Sequence, residues 1–97
     1  MREVYKVQPV NVRKVEDTLR ADDIVGRQSI FVRNAKSLGF DSVESFVILD
    51  CTEPALKRAE ELIKGLAEKA ANKDDVLKRF DEQEAGAAAG FGAIMGG

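Results

Sequence analysis

The chain has 97 residues, of which 44% are hydrophobic and 33% are charged, and its formal net charge is −2. This length suits one domain with a single core, and the composition is that of a globular chain rather than a disordered one. The near-neutral charge excludes a global basic field for holding nucleic acid. The charges are nevertheless unevenly placed: residues 1–40 carry 8 basic and 5 acidic side chains, whereas residues 41–97 carry 7 and 12.

Cysteine and histidine usage narrows the function classes. The single cysteine, Cys51, excludes an intramolecular disulfide and predicts a reducing compartment. The N-terminus has no apolar signal region, and no apolar run approaches the roughly 20 residues of a membrane span, so we expect a cytoplasmic protein. The absence of histidine removes the commonest catalytic base and metal ligand. A non-enzymatic protein without a cofactor is favoured, although carboxylate or lysine chemistry stays open.

The first half of the chain predicts a strand, a helix and a second strand. Residues 3–8 alternate in polarity, which is typical of a short strand, and Pro9 closes it. Asn11 is a plausible N-cap for a helix through Leu19 or Ala21, with apolar residues on one face. Residues 29–32 then form a second strand candidate, followed by a turn at residues 36–41.

The most informative stretch is an apolar strand that leads into an amphipathic helix. Residues 43–50 contain four consecutive apolar residues, which predicts a central strand covered on both faces. We expect Phe46 and Ile48 to face one way, and Val47 and Leu49 the other. Thr52 caps a second helix over residues 53–71, and a third, short helix follows with Val76, Leu77 and Phe80.

This element order predicts a ferredoxin-like α+β fold, β-α-β-β-α, with both helices on one face of the sheet, followed by the short third helix. Residues 1–84 form the single domain, and residues 85–97 a Gly/Ala-rich tail. The fourth strand of such a sheet is missing from the pattern. The tail or a second copy is expected to supply it, so we predict self-association through a sheet edge.

A resemblance to a known family supports the same topology. Residues 7–26, Val-Gln-Pro-Val-Asn-Val-Arg-Lys-Val-Glu-Asp-Thr-Leu-Arg-Ala-Asp-Asp-Ile-Val-Gly, resemble the opening of PII-like signalling proteins. The resemblance covers about a fifth of the chain, and the long effector loop and phosphate-binding residues of that family have no counterparts. It implies a ferredoxin-like topology and oligomers, not nucleotide binding.

Two polar candidates lie where the central strand meets the second helix. Cys51 is either a reactive thiol near a helix N-terminus or a small buried apolar residue at a strand end. Asp50, Thr52 and Glu53 can ligate a cation together with Asp22 or Asp23, or they serve only as a cap and favourable charge at the helix start.

A basic patch is the third candidate. Arg20, Arg27, Arg33 and Lys36 bracket the second strand. Phe31 or Phe40 adjoins them and offers the kind of stacking platform that RNA-binding sheets use. The alternative is an ordinary core role for these aromatic residues, and no RNP-type motif accompanies them.

The tail offers three further readings. Phe91, Ile94 and Met95 are sizeable apolar groups in an otherwise Gly/Ala segment, and they can dock on the chain's own sheet or on a protein partner. Because ordering a glycine-rich backbone is costly, residues after about Ala85 are predicted to be mobile in the isolated chain. Gly97 ends a diglycine, as in ubiquitin-like modifiers and sulfur carriers, although a charged helix precedes this tail.

These observations predict a small non-enzymatic module that forms oligomers or binds a partner. The alternatives are a diglycine-tailed carrier or modifier, and an RNA-binding domain. Neither metal nor membrane binding is expected.

Overall fold

The computed structural model describes the backbone of residues 1–96 and the side chains of residues 1–85. It has the α+β class that the sequence predicts, with four strands and three helices in the described part of the chain. The strands are β1 (Arg2–Val7), β2 (Ser29–Asn34), β3 (Ser45–Asp50) and β4 (Glu68–Lys69). The helices are α1 (Val12–Ala21), α2 (Glu53–Leu62) and α3 (Lys73–Gly96).

The four strands form one antiparallel sheet in the order β2-β3-β1-β4. β3 lies inside this sheet, with β1 on one side and β2 on the other, as its apolar run predicts. Its four apolar residues are almost completely inaccessible to solvent. Val47 and Leu49 pack on one face of the sheet, while Phe46 and Ile48 pack on the other. The predicted division of these side chains between the two faces is therefore confirmed.

Helices α1 and α2 cover one face of the sheet together. The apolar stripes of the two helices, Val15 with Leu19 and Ala55 with Ala59, share one core with Val47 and Leu49. Thr52 begins α2 as predicted, since its Oγ1 accepts a hydrogen bond from the Ala55 amide at 3.4 Å. The pairing of both helices on one side follows from the apolar spacing of about 3.6 residues on each.

Helix α3 covers the opposite face and completes a second core. Val76, Leu77 and Phe80 are buried against Phe46 and other residues of that face. The third helix was expected to be short, but its bounds are Lys73–Gly96. The sheet is thus enclosed between two helical layers, which explains why β3 has apolar residues on both faces.

The predicted length of the second helix was wrong. α2 ends at Leu62 rather than near residue 71, with Ile63 as its C-cap, and Gly65 has a positive φ of 82° in the turn that follows. The chain then turns back along β1, where Glu68 pairs with Lys6 and Lys69 with Tyr5. The fourth strand therefore comes from the segment predicted as helix, and neither the tail nor a second copy is needed to supply it.

None of the helices that the structure describes combines the length and the apolar content that a bilayer crossing requires.

Candidate functional site

The end of β3 does not form a reactive thiol site. Cys51 is 6% exposed, and burial raises the pKa of its thiol, so the protonated, unreactive form is favoured. The Met1 amino group donates a hydrogen bond to the Cys51 carbonyl at 2.9 Å. Nearby, the buried Tyr5 hydroxyl has no hydrogen-bond partner among the described residues, and burial raises its pKa. Both groups are therefore neutral members of the core.

Asp22, one of the carboxylates predicted as a cation ligand, is used in another way. Asp22 accepts hydrogen bonds from the Ile24 and Val25 amides at 3.1 and 3.0 Å, and from Arg58 Nε at 3.1 Å. The hydrogen bond from the Val25 amide is the main cause that lowers the Asp22 pKa, and Arg58 lowers it further. Within the described part of the chain, no cluster of three or more acidic, cysteine or histidine side chains has the geometry of a metal site.

Helix α3 covers the aromatic residues that the sequence proposed as a stacking platform. The Phe31 ring lies 5.0 Å from that of Phe80, measured between centroids. The Phe40 ring packs against Phe46 at 5.6 Å, and the guanidinium carbon of Arg79 lies 4.1 Å above its centroid. The Arg79 guanidinium covers one face of the Phe40 ring, and the tilted pair with Phe80 packs the Phe31 ring against α3, which leaves less of either ring for a nucleotide base.

Ion pairs along α3 accompany these apolar contacts. Arg2 of β1 donates two hydrogen bonds to Asp81, at 2.7 and 3.1 Å, and its guanidinium lowers the Asp81 pKa. Arg33 pairs with Glu84 at 3.3 Å, measured between Nη2 and Oε1. These pairs are largely exposed, so each contributes little to stability. The buried apolar groups therefore hold α3 in place.

The outer edge of β2 is the longest unpaired backbone segment of the sheet. β2 is the terminal strand on its side and has six residues, whereas β4, at the other end, has two. In an antiparallel ladder, alternate residues bond to the neighbour and the rest point away from it. The Ala35 amide donates to the Glu44 carbonyl at 2.9 Å, which fixes this alternation. Ile30, Val32 and Asn34 therefore direct their backbone groups outward, and we call this side of the strand the β2 edge.

The carbonyl groups of the β2 edge already have donors from the chain itself. Arg20 Nη2 donates to the Ile30 carbonyl at 3.4 Å, and Arg33 Nη1 donates to the Val32 carbonyl at 2.9 Å. The Ser37 hydroxyl donates to the Asn34 carbonyl at 2.8 Å. The three outward amides have no acceptor among the described residues. The edge is consequently a row of hydrogen-bond donors.

The four predicted basic residues do adjoin β2, but they fall into two kinds. Arg20 and Arg33 lie over edge carbonyls and also pair with carboxylates, Arg20 with Glu16 at 2.9 Å. Arg27 and Lys36 are exposed at opposite ends of the strand, and neither forms an ion pair with another described side chain. Together with the outward amides, they make this side of the protein rich in donors and positive charge.

The sequence identified the basic residues but missed the edge amides. The direction of a backbone amide depends on strand register, and only the pairing of Ala35 with Glu44 resolves it. The predicted contacts of Phe91, Ile94 and Met95, and the role of Gly97, lie outside the described side chains. The predicted mobility of the tail likewise stays a prediction.

No protein-family model, curated protein or solved structure matches the chain.

Proposed function

We propose that this chain is a small non-enzymatic interaction module that binds an extended polypeptide segment by adding it as a strand to the β2 edge. The observation that carries this proposal is the row of outward amides on Ile30, Val32 and Asn34 without acceptors in the described structure. An edge strand with unpaired backbone groups is a template for pairing with another chain, so an incoming backbone that supplies carbonyl groups can bond to these amides.

The topology supports a ferredoxin-like assignment for the module. The element order is β-α-β-β-α-β, and the sheet order β2-β3-β1-β4 places the two strands that precede the helices side by side in its middle. α3 is then an addition that closes the face opposite α1 and α2. With both faces covered by helices, an edge is the part of this sheet that is left to bind a partner.

A proline substitution separates edge binding from the stability of the sheet. Val32→Pro removes an outward amide without removing a bond to β3, and proline is tolerated on edge strands in such positions. Val32→Ala is the control, because it removes the packing of the half-buried valine side chain but keeps the amide. Comparison of the two variants in thermal melts checks that both remain folded.

Peptides for this test come from a phage-displayed library of random ten-residue sequences selected on the wild-type chain. We expect the selected peptides to bind Val32→Ala as they bind the wild type, and Val32→Pro at least tenfold more weakly. Equal binding to all three proteins, or no binder at all, contradicts the proposal. If Val32→Pro does not fold, amide exchange replaces it: the Val32 amide of the wild type must become protected when a peptide is bound.

Self-association through the same edge is the second form of the proposal. The sequence predicted self-association because a fourth strand was missing. β4 supplies that strand, but an open edge also allows pairing between copies. Sedimentation equilibrium across micromolar concentrations distinguishes a 10.6 kDa monomer from a dimer. The RNA-binding alternative has less support, since Phe31 and Phe40 already contact α3 and its arginine. The diglycine carrier alternative rests on the sequence alone.

A further inference from the structure

The β2 edge also indicates the chemistry of its occupant. We propose that the edge selects an acidic extended segment of another protein, with glutamate or aspartate side chains next to the backbone that pairs with β2. This inference rests on the proposed use of the edge and goes further by naming the partner class. Three independent features of the edge carry it.

The first feature is the imbalance between donors and acceptors. Each outward carbonyl of β2 is bonded by a side chain of Arg20, Arg33 or Ser37, while the outward amides lack acceptors within the described structure. An arriving backbone brings both amides and carbonyls, so its own amides compete with the guanidinium groups of Arg20 and Arg33 for the outward carbonyls of β2. Carboxylates on the same segment accept the displaced guanidinium groups, and such charge-assisted bonds are about twice as strong as neutral ones. A segment without carboxylates leaves these cations with only the exposed carboxylates that they already contact, Glu16 and Glu84.

The second feature is the charge around the edge. Arg27 precedes β2 and Lys36 follows it, both exposed and without an ion-pair partner among the described side chains. Arg20 lies beside the strand, and Arg33 is part of it. Glu16 and Glu84 offset these two arginines only through exposed pairs, which exchange partners at little cost. Oppositely charged segments are attracted to such a surface, and like-charged ones are repelled.

Charge also argues against a second copy as the occupant. Two β2 strands paired about a two-fold axis would bring Arg20, Arg27, Arg33 and Lys36 of one copy against the same residues of the other. Like charges directly opposite on neighbouring strands are destabilising. An isologous pairing therefore repeats the basic side chains instead of complementing them.

The third feature is a place for one apolar side chain. A shallow depression of about 330 Å³ at the far end of β2 is lined by Asn34, Lys36, Ser42 and Val43. Val43 is 70% exposed there, so its apolar surface is open to an added side chain. An apolar residue of the added segment covers Val43 while neighbouring carboxylates meet Lys36. The occupant is accordingly an acidic segment that also contains apolar residues.

Two synthetic heptapeptides test the inference directly, one of alternating glutamate and valine, the other of alternating lysine and valine. Isothermal titration at low salt should show the glutamate peptide binding at least tenfold more tightly than the lysine peptide. Added salt should weaken the glutamate peptide, because exposed charges are screened over a Debye length of about 10 Å at 0.1 M.

A charge reversal makes the test specific to the edge. The double variant Arg27→Glu with Lys36→Glu should reverse the order of affinity of the two peptides, because it replaces two positive charges beside the edge with negative ones. Neither side chain bonds to the sheet, so the variant should keep the fold. Lys14→Glu with Lys64→Glu makes the same change in net charge on exposed residues. Lys14 lies two turns before Arg20, and Lys64 lies near the opposite edge of the sheet, so this control should keep the original order.

The outcomes separate this inference from the proposed function. Binding of both peptides with equal affinity, lost in Val32→Pro but kept in Val32→Ala, overturns the acidic preference and leaves strand addition standing. Binding that survives Val32→Pro contradicts strand addition itself, and failure of both peptides to bind overturns the acidic preference. A dimer of the chain alone that Val32→Pro dissociates assigns the edge to a second copy and overturns the inference as well.

Discussion

Substitution of Phe80 by alanine tests whether α3 is a structural part of the domain. Phe80 is 5% exposed, and its ring contacts Phe31 on β2 at 5.0 Å between centroids. The Arg33 guanidinium carbon lies 5.4 Å from the same ring centroid. Removing the ring therefore loses apolar burial, an aromatic pair and a cation–π contact together.

The size of the effect follows from these contacts. Phenylalanine-to-alanine changes in cores cost about 3–5 kcal/mol. The Arg33 side chain lies against the ring and can fill part of the space, so we expect the lower end of this range, about 3 kcal/mol. For a domain of this size, 1 kcal/mol shifts the melting temperature by roughly 4–8 °C, which gives a fall of roughly 12–24 °C.

Thermal melts followed by circular dichroism measure this fall, with two controls on the same helix. Phe80→Leu keeps an apolar side chain and should lose much less than Phe80→Ala. Glu82→Ala changes an exposed residue and should leave the melting temperature almost unchanged. A fall of less than about 5 °C for Phe80→Ala, roughly 1 kcal/mol, would show that α3 contributes little to the fold and would refute this reasoning.

Three further predictions concern the core, acid stability and the tail. Ile48→Asp places an unpaired carboxylate at a fully buried position of β3, so it should cost several kcal/mol or prevent folding; an unchanged melting temperature would contradict the central position of the strand. Asp22→Asn should be less stable than the wild type near pH 7, because a carboxylate with a lowered pKa stabilises the fold while it is ionised. The difference in stability should disappear as the pH falls below about 4, and a difference that persists at pH 2 would count against this. Deletion of residues 86–97 should lower the melting temperature by less than about 5 °C, and a larger drop would show that the tail belongs to the fold.

The sequence predicted those parts of the fold that depend on hydrophobic periodicity. The run from Phe46 to Leu49 identified the central strand, and the spacing of Val15, Leu19 and Ala59 identified the helical faces that cover it. β4 carries no such signal, since a two-residue strand is too short to show alternation. It follows a turn in which Gly65 has a positive φ, a feature that the apolar pattern through Leu66 concealed.

The candidate site was only half visible in the sequence for a related reason. Side-chain charge is readable from residue identity, so Arg27 and Lys36 were recognised as basic. Whether an amide points toward a neighbouring strand or away from it depends on pairing between residues distant in the chain, such as Ala35 and Glu44. The donor row on β2 is therefore a property of register and not of composition.

Amide hydrogen exchange, measured residue by residue with and without the glutamate–valine heptapeptide, tests the central claim most directly. The Phe31 amide bonds to β3 and should exchange slowly in both states, whereas the Val32 amide points outward and should exchange quickly in the free protein. The account predicts that the peptide slows exchange at Val32 and Asn34 and leaves Phe31 unchanged. Exchange at Val32 that is already slow in the monomer, or that stays fast under saturating peptide, would contradict it.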